Sequence, residues 1–257
     1  MYEQDRVYVR LQQRVLQDAA IRVCFVSGSF GRGAQDAYSD LDVALVFESD
    51  AARKMAFERR HDFVQSVMPY VTAKSFDAEH IRPYFHIALY ANGTKVDYRF
   101  ETSESLEPNP WDREIRLLKD DNGWGEAFRQ KCASLPFPRP AISSQQLAEM
   151  DQRFWVMFWD TFRQVQRGDH EKPFPVYIQL FTLTLLPIME LLPQENSARQ
   201  ALFNAYFSQD AAATLDHLKR LLPLYLDARR ALIKHLDLFF KADNTFENSI
   251  LRLVERA

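Results

Sequence analysis

What most limits how this chain can fold is a change of character at Pro136. Residues 136–144, PFPRPAISS, carry three prolines and two serines in nine positions. Proline fixes its own backbone and lacks an N–H, so such a density reads as a linker. Before it, short β-branched and aromatic runs are punctuated by Gly, Asn and Asp. After it, apolar residues recur three and four apart over 145–167, 174–192, 198–206, 210–237 and 244–256, and no comparable β-run occurs. The pattern predicts an α+β chain with two domains, residues 1–138 mixing strands and helices and residues 139–257 all helical.

Within the first half, Val7, Val9, Leu11, Val15 and Leu16 predict a helix over 4–18. IRVCFVSG reads as a strand, FGRGAQD as a turn with a brief helix, and LDVALVFE as a second strand. A helix over about 51–68 should stop before Pro69. FHIALYANGTKVDYRFE holds two β-rich runs around Asn92-Gly93, a strong hairpin signal. RLLKDDNGW predicts a short strand and a turn.

Of the 257 residues, 47% are hydrophobic and 26% charged, enough to build and solubilise a core. A net charge of −3 lacks the basic excess of a duplex-binding surface, and no aromatic-basic groove suggests a nucleic-acid partner. Cys24 and Cys132 are far apart and make neither a disulfide framework nor zinc spacing; both read as free thiols. The N-terminal MYEQDRVYVRLQQRVLQ is charged throughout, unlike a leader. No apolar run is expected to reach the roughly 18–20 residues of a membrane span. VYIQLFTLTLLPIMELLP comes closest, broken by polar residues and Pro187. A cytoplasmic, reducing location with no membrane partner is expected.

The chemistry concentrates in VCFVSGSFGRGAQDAYSDLDVALVF, residues 23–47. Asp40 and Asp42 project from one face of the second strand, with Cα atoms about 6.5–7 Å apart. Leu41 and Val43 face the other way and can anchor it. Adjacent carboxylates repel unless a cation lies between them, and Mg²⁺ commonly joins carboxylates to substrate phosphates. An isolated Asp-x-Asp is more often a solvated strand face. Three neighbours change that. Gly28-Ser29 closes the preceding strand, where a glycine lets backbone approach an anion and a hydroxyl can hold phosphate oxygens. Ten residues separate Ser29 from Asp40, room for a turn, a short helix and a return. Asp97 sits on the polar face of KVDYRF, opposite Val96, Tyr98 and Phe100.

Gly28-Ser29, ten residues and Asp40-Leu41-Asp42 together resemble the signature of the DNA polymerase β-like nucleotidyltransferase superfamily. GSFGRGAQDAYSDLD is most similar to its small antibiotic-modifying members, the aminoglycoside and lincosamide nucleotidyltransferases. The helix–RGD–helix arrangement around Gly168 resembles the lincosamide type. The resemblance implies a catalytic domain with a mixed β-sheet flanked by helices, and a C-terminal helical bundle for substrate binding or dimerisation. It also implies Mg²⁺ held by Asp40 and Asp42, with ATP or another nucleoside triphosphate as co-substrate. Ser29, with adjacent backbone at Gly28, would orient phosphates. Asp97 would be a third metal ligand or the base that takes the proton of a small-molecule hydroxyl, with Glu101 as fallback. Pyrophosphate would leave. Rival readings are a regulatory enzyme modifying a protein hydroxyl and a nucleotide-sensing module without catalysis. Helix-rich second domains often pair, which admits a homodimer.

Other candidates have weaker signals. Arg32 is a triphosphate contact or a solvated loop charge, and Tyr38 and Ser39 shape the turn before the aspartates, Ser39 also being a phosphate candidate. Arg153, Arg163, Arg167 and above all Lys172 are possible phosphate contacts from the second domain. Asp160 and Glu190 are alternative bases. Trp155, Phe158, Trp159 and Phe162 read as helix core before substrate platform. His80, His86, His170, His217 and His235 lack partners at metal spacing. The acidic run Glu101, Glu104, Glu107, Asp112, Glu114 would attract a polycation, though a charged loop explains it equally.

Overall fold

A computed structural model describes residues 2–71, 82–138, 142–168 and 173–206, with isolated residues beyond. The chain divides into two compact units, Met1–Phe137 with Phe239–Ala257, and Pro138–Leu238.

The first unit begins with helix α1 (Glu3–Leu16), whose buried stripe is Gln4, Val7, Leu11 and Val15. Strand β1 (Ile21–Ser27) leads into the short helix α2 (Gly28–Arg32), and β2 (Leu41–Phe47) follows. The single helix expected over 51–68 is two, α3 (Asp50–Glu58) and α4 (Arg60–Val67), which end at Met68 before Pro69. Ser49 caps α3 by accepting from the Ala52 N–H at 3.2 Å. The remaining strands are β3 (Tyr70–Val71), β4 (Phe85–Tyr90), β5 (Lys95–Thr102) and β6 (Arg116–Asp120), with α5 (Trp124–Ser134) closing the unit. The expected hairpin joins β4 to β5 through Asn92-Gly93, and Asn92 Oδ1 accepts from the Thr94 N–H at 3.2 Å. At the Lys119-Asp120-Asp121-Asn122-Gly123 turn, the Asp120 carboxylate receives the Gly125 and Glu126 N–H groups, both at 3.1 Å, and so starts α5.

The strands form one mixed sheet in the order β3-β4-β5-β2-β1-β6. Among the described residues only β2 and β5 pair in parallel; the other pairings are antiparallel. Both faces are covered. On one side Leu41, Val43, Leu45, Tyr98 and Phe100 pack under α1, α3 and α4 with Val7, Leu11, Phe57 and Phe63. On the other, Val23, Phe25, Ala44 and Val46 pack under α5 with Phe128 and Cys132. Burying side chains such as Leu41 and Val43 stabilises by about 1.5–3 kcal/mol each, enough to fix the register of β2. Because side chains alternate, that register also fixes where Asp42 points. Cys24 and Cys132 are free and buried, and burial pushes the Cys24 thiol up.

The described residues of the second unit are helical: α6 (Ser144–Gln166), α7 (Pro173–Leu180), a π-helical turn (Phe181–Leu185), α8 (Leu186–Leu191) and α9 (Ser197–Tyr206). The helices expected over 210–237 and 244–256 lie, apart from isolated residues, outside the described residues. Two expectations are corrected here. Trp155, Phe158, Trp159 and Phe162 are exposed, not core; among the described residues α6 packs on α7 and the π turn, which cannot enclose rings around its whole circumference. They stack along the helix instead, Phe158 on Phe162 at 6.2 Å and Trp159 on Phe162 at 6.0 Å. Nor do polar residues and Pro187 break the apolar run. Phe174–Leu191 is helical throughout, has mean hydropathy 1.5 and, by length and composition, could cross a membrane. The π turn and the first-turn position of Pro187 accommodate the missing N–H. The Thr182 and Thr184 hydroxyls donate to the Ile178 and Leu180 carbonyls, hiding their polarity. A single such stretch is weak ground for a membrane span.

Candidate functional site

The sheet face that packs under α5 changes character along its strands. On β2 it runs from Val46 and Ala44 to Asp42; on β1 from Val23 and Phe25 to Ser27. On β5 it carries Glu101, Arg99 and Asp97. Asp42 pairs in register with Ser27 on one side and Asp97 on the other. The apolar layer therefore ends where two carboxylates stand on neighbouring strands, and Asp40 lies two residues before Asp42, just outside β2.

Gly28 explains the glycine at the end of β1. Its φ is +62°, and a Cβ there would lie 2.3 Å from Asp42 Oδ2. Any side chain would be strained in its backbone and would displace the carboxylate. Gly31, one turn on, is needed for a different reason: its Cβ would fall 2.2 Å from the Glu114 carbonyl, so α2 can press against the segment leading into β6. The loop back to Asp40 is pinned from α1. Gln4 Nε2 donates to the carbonyls of Asp36, Ala37 and Ser39 at 3.3, 2.8 and 3.0 Å.

Burial, then Asp40, then Asp97 raise the Asp42 carboxyl above the usual carboxylate range, against the opposing pull of Arg99 and Lys95. Lys95 was not anticipated as a site residue. Its Nζ is 3.0 Å from Asp40 Oδ2 and 2.7 Å from Asp97 Oδ1, the latter a charge contact outside hydrogen-bond alignment. Burial disfavours its charge, but Asp97 and Asp40 outweigh burial and lift the ammonium above the usual lysine range. The alternation of KVDYRF already put Lys95 and Asp97 on one face; the missing signal was the parallel neighbour β2, which brings Asp40 within reach.

The donor chemistry suits a hard divalent cation: oxygen ligands whose mutual repulsion a cation would relieve. Among the described residues, however, no three His, Cys, Asp or Glu side chains are gathered closely enough to hold a metal as they stand.

The remaining expected residues are dispersed over several roles. Ser29 is half-buried in α2. Arg32 is exposed, lines a cavity of about 410 Å³ with Gly28 and Asp42, and makes no ion pair among the described residues. The Ser39 hydroxyl is engaged in the turn, accepting from the Asp36 N–H at 3.0 Å and donating to Asp36 Oδ1 at 3.1 Å. Glu101 is buried and bound by Arg82 at 2.7 Å and the Ser105 hydroxyl at 2.8 Å. Asp112 is buried against the Arg99 guanidinium through two bonds of 3.2 Å. The acidic run thus loses two of its charges to internal pairs. In the second unit Asp160 accepts from Arg163 and Gln164, and Arg163 above all holds its carboxyl low, which suits a base poorly. Glu190 is exposed. Lys172, His80 and His170 lie outside the described residues. His86 is buried on β4, beside the rings of His61 and Tyr70.

No family model and no curated protein matches this sequence. Among solved structures, the chain is similar to an aminoglycoside 6-adenyltransferase from Bacillus subtilis, at 12% identity and a TM-score of 0.27, covering 98% of this chain and 96% of that one. At that score the likeness is too slight to assign either fold or activity.

Proposed function

We propose that this protein is a nucleotidyltransferase that moves a nucleoside monophosphate, AMP from ATP, onto a hydroxyl of a small molecule. A lincosamide or aminoglycoside is the acceptor class suggested by the motif. The observation that carries the reading is the fit between Gly28 and Asp42: a left-handed glycine with no room for a Cβ brings bare backbone against a carboxylate that two further aspartates surround. A stability role gives no reason to crowd like charges at the end of a core face.

Residues 1–138 would be the catalytic domain, and 139–257 the helical domain for acceptor binding or pairing. Backbone at Gly28, the Ser29 hydroxyl and the Arg32 guanidinium would hold the triphosphate. Asp40 and Asp42 would hold Mg²⁺, which when bound supplies neutralisation of charge on the phosphate oxygens, with Asp97 as the base in preference to a third ligand. Asp97 would take the proton of the acceptor hydroxyl as its oxygen bonds to the α-phosphorus. The bond from that phosphorus to the bridging oxygen breaks, and pyrophosphate leaves with the electron pair. Positioning and fixed charge supply most of the acceleration. Two free, buried cysteines agree with a reducing, cytoplasmic setting.

The test is pyrophosphate release from MgATP in the presence of lincosamide, aminoglycoside and protein acceptors, with Asp40→Asn and Asp42→Asn alongside. Acceptor-dependent release that both variants abolish is expected. Unchanged turnover in either variant, or no release with any acceptor, would overturn the assignment.

A further inference from the structure

The cavity beside Asp42 contains an aromatic surface that the proposed chemistry leaves unused. Trp111 and Phe137 line it together with Gly28, Arg32 and Asp42. Trp111 is 63% exposed, yet its backbone is firmly held. It lies in a 3-10 turn (Pro110–Asp112) in which Asn109 Oδ1 accepts from the Trp111 and Asp112 N–H groups, both at 3.1 Å. Asp112, buried, is gripped by Arg99 and by Asn109 Nδ2 at 2.8 Å. The next residue, Arg113, donates to the Leu135 carbonyl at 2.8 Å and lies over the Phe137 ring, 4.6 Å from its centroid. Phe137 in turn meets Trp111 edge-on, with centroids 6.1 Å apart and planes at 75°.

An indole left in solvent on a hydrogen-bonded turn, its edge against Phe137, loses little conformational freedom when a ligand lands on it. Such a ring stacks against flat heterocycles with little regard to their edges. We infer that Trp111, backed by Phe137, is the platform for the heterocyclic base of the nucleotide, an inference that rests on the proposed function. One cavity lined by both an indole and the residues assigned to phosphate suits one ligand that carries both a polyanion and a flat ring. The lining carries Arg32 and Arg113 beside Asp42 and Glu114, a mixed set of charges that suits a polyanion bound together with its cation. Because Asn109 spends its amide on the frame, recognition by stacking should tolerate different bases.

The experiment titrates the full chain with MgATP and, separately, magnesium tripolyphosphate, which has no base. Wild type, W111A, W111F and F137A are compared by calorimetry, with melting curves to verify folding. For W111A, ATP affinity should fall about 5- to 100-fold, the worth of one stacked base, while tripolyphosphate affinity stays. W111F should recover most of the loss, and F137A should show a smaller one. Unchanged ATP affinity in W111A, or an equal fall for both probes, would overturn the platform and leave the proposed function standing. Failure of the wild type to bind either probe would overturn both.

Discussion

Strand β5 carries two carboxylates on one face, four residues apart, that the fold treats in opposite ways. Glu101 is buried, paired with Arg82 and bonded to Ser105. Asp97 stands across from Asp42, whose carboxyl is raised by burial first and then by Asp40 and Asp97. One acid completes a local structure; the other, with Lys95 at 2.7 Å, belongs to a cluster of like charges. Sequence does not distinguish them, since both sit on the polar side of an alternating strand. The partner strand does. Glu101 is level with Val46 of β2, inside the apolar layer, where only a satisfied charge is tolerated. Asp97 is level with Asp42, where that layer ends.

The strongest way to break this contrast is Asp42→Asn. Transfer should fall by about three orders of magnitude, the several kcal/mol that a bound cation supplies, measured as pyrophosphate release. Stability should not fall with it. A carboxyl raised on folding contributes stability below its unfolded value of about 3.9, and that contribution is lost as pH rises through the folded value. At pH 7 the variant should therefore melt at or above the wild-type temperature, with the advantage shrinking as pH drops towards about 4. A destabilised variant at pH 7 would mean Asp42 is held by favourable contacts.

Gly28→Ala tests the same point through the backbone. A Cβ 2.3 Å from Asp42 Oδ2 must push the carboxylate aside. A displacement near 1 Å can cost about 100-fold in rate, and the left-handed backbone adds about 1–2 kcal/mol of strain. Both the melting temperature and turnover should drop; wild-type turnover would show that the contact is incidental. Glu101→Gln should do the reverse. Losing the charge that Arg82 and Ser105 satisfy should cost about 1–3 kcal/mol in denaturant unfolding, with turnover per folded molecule intact. A loss of turnover at full stability would move Glu101 into the site.

Much of this was legible beforehand, because period-two alternation and glycine placement are local signals. Both site strands and the Asn92-Gly93 hairpin follow from residues close in sequence, whereas Asp40, expected on the second strand, lies just before it. What was not legible depends on neighbours distant in sequence. The parallel pairing of β2 with β5 makes Lys95 a partner of Asp40 across 55 residues. Gln4 reaches the loop before Asp40 from the first turn of α1; its place on the buried stripe was the available clue. Gly31, within the turn expected at FGRGAQD, answers a backbone 83 residues away. The aromatic residues of α6 failed as core for a related reason. Periodicity says which side of a helix is apolar, and only the packing partner says whether it is covered.

Lys95 offers the smallest and most discriminating measurement. Its ammonium bridges Asp40 and Asp97, the position in which a divalent cation would also find its charge compensated. If it acts as an internal counter-ion, it competes with metal for Asp40. Lys95→Gln should then bind Mn²⁺, followed by electron paramagnetic resonance, about three- to tenfold more tightly. That is the worth of two half-exposed ion pairs at a few tenths to about 1 kcal/mol each. Lys95→Arg keeps the charge and should stay near wild type. The unliganded Lys95→Gln protein should also melt slightly lower, having lost the cation that relieves the three carboxylates. Weaker Mn²⁺ binding in Lys95→Gln would instead assign the lysine to holding the acids in place for metal. That would make Asp97 resemble Glu101 after all, an acid whose position depends on a partner rather than on the ligand it awaits.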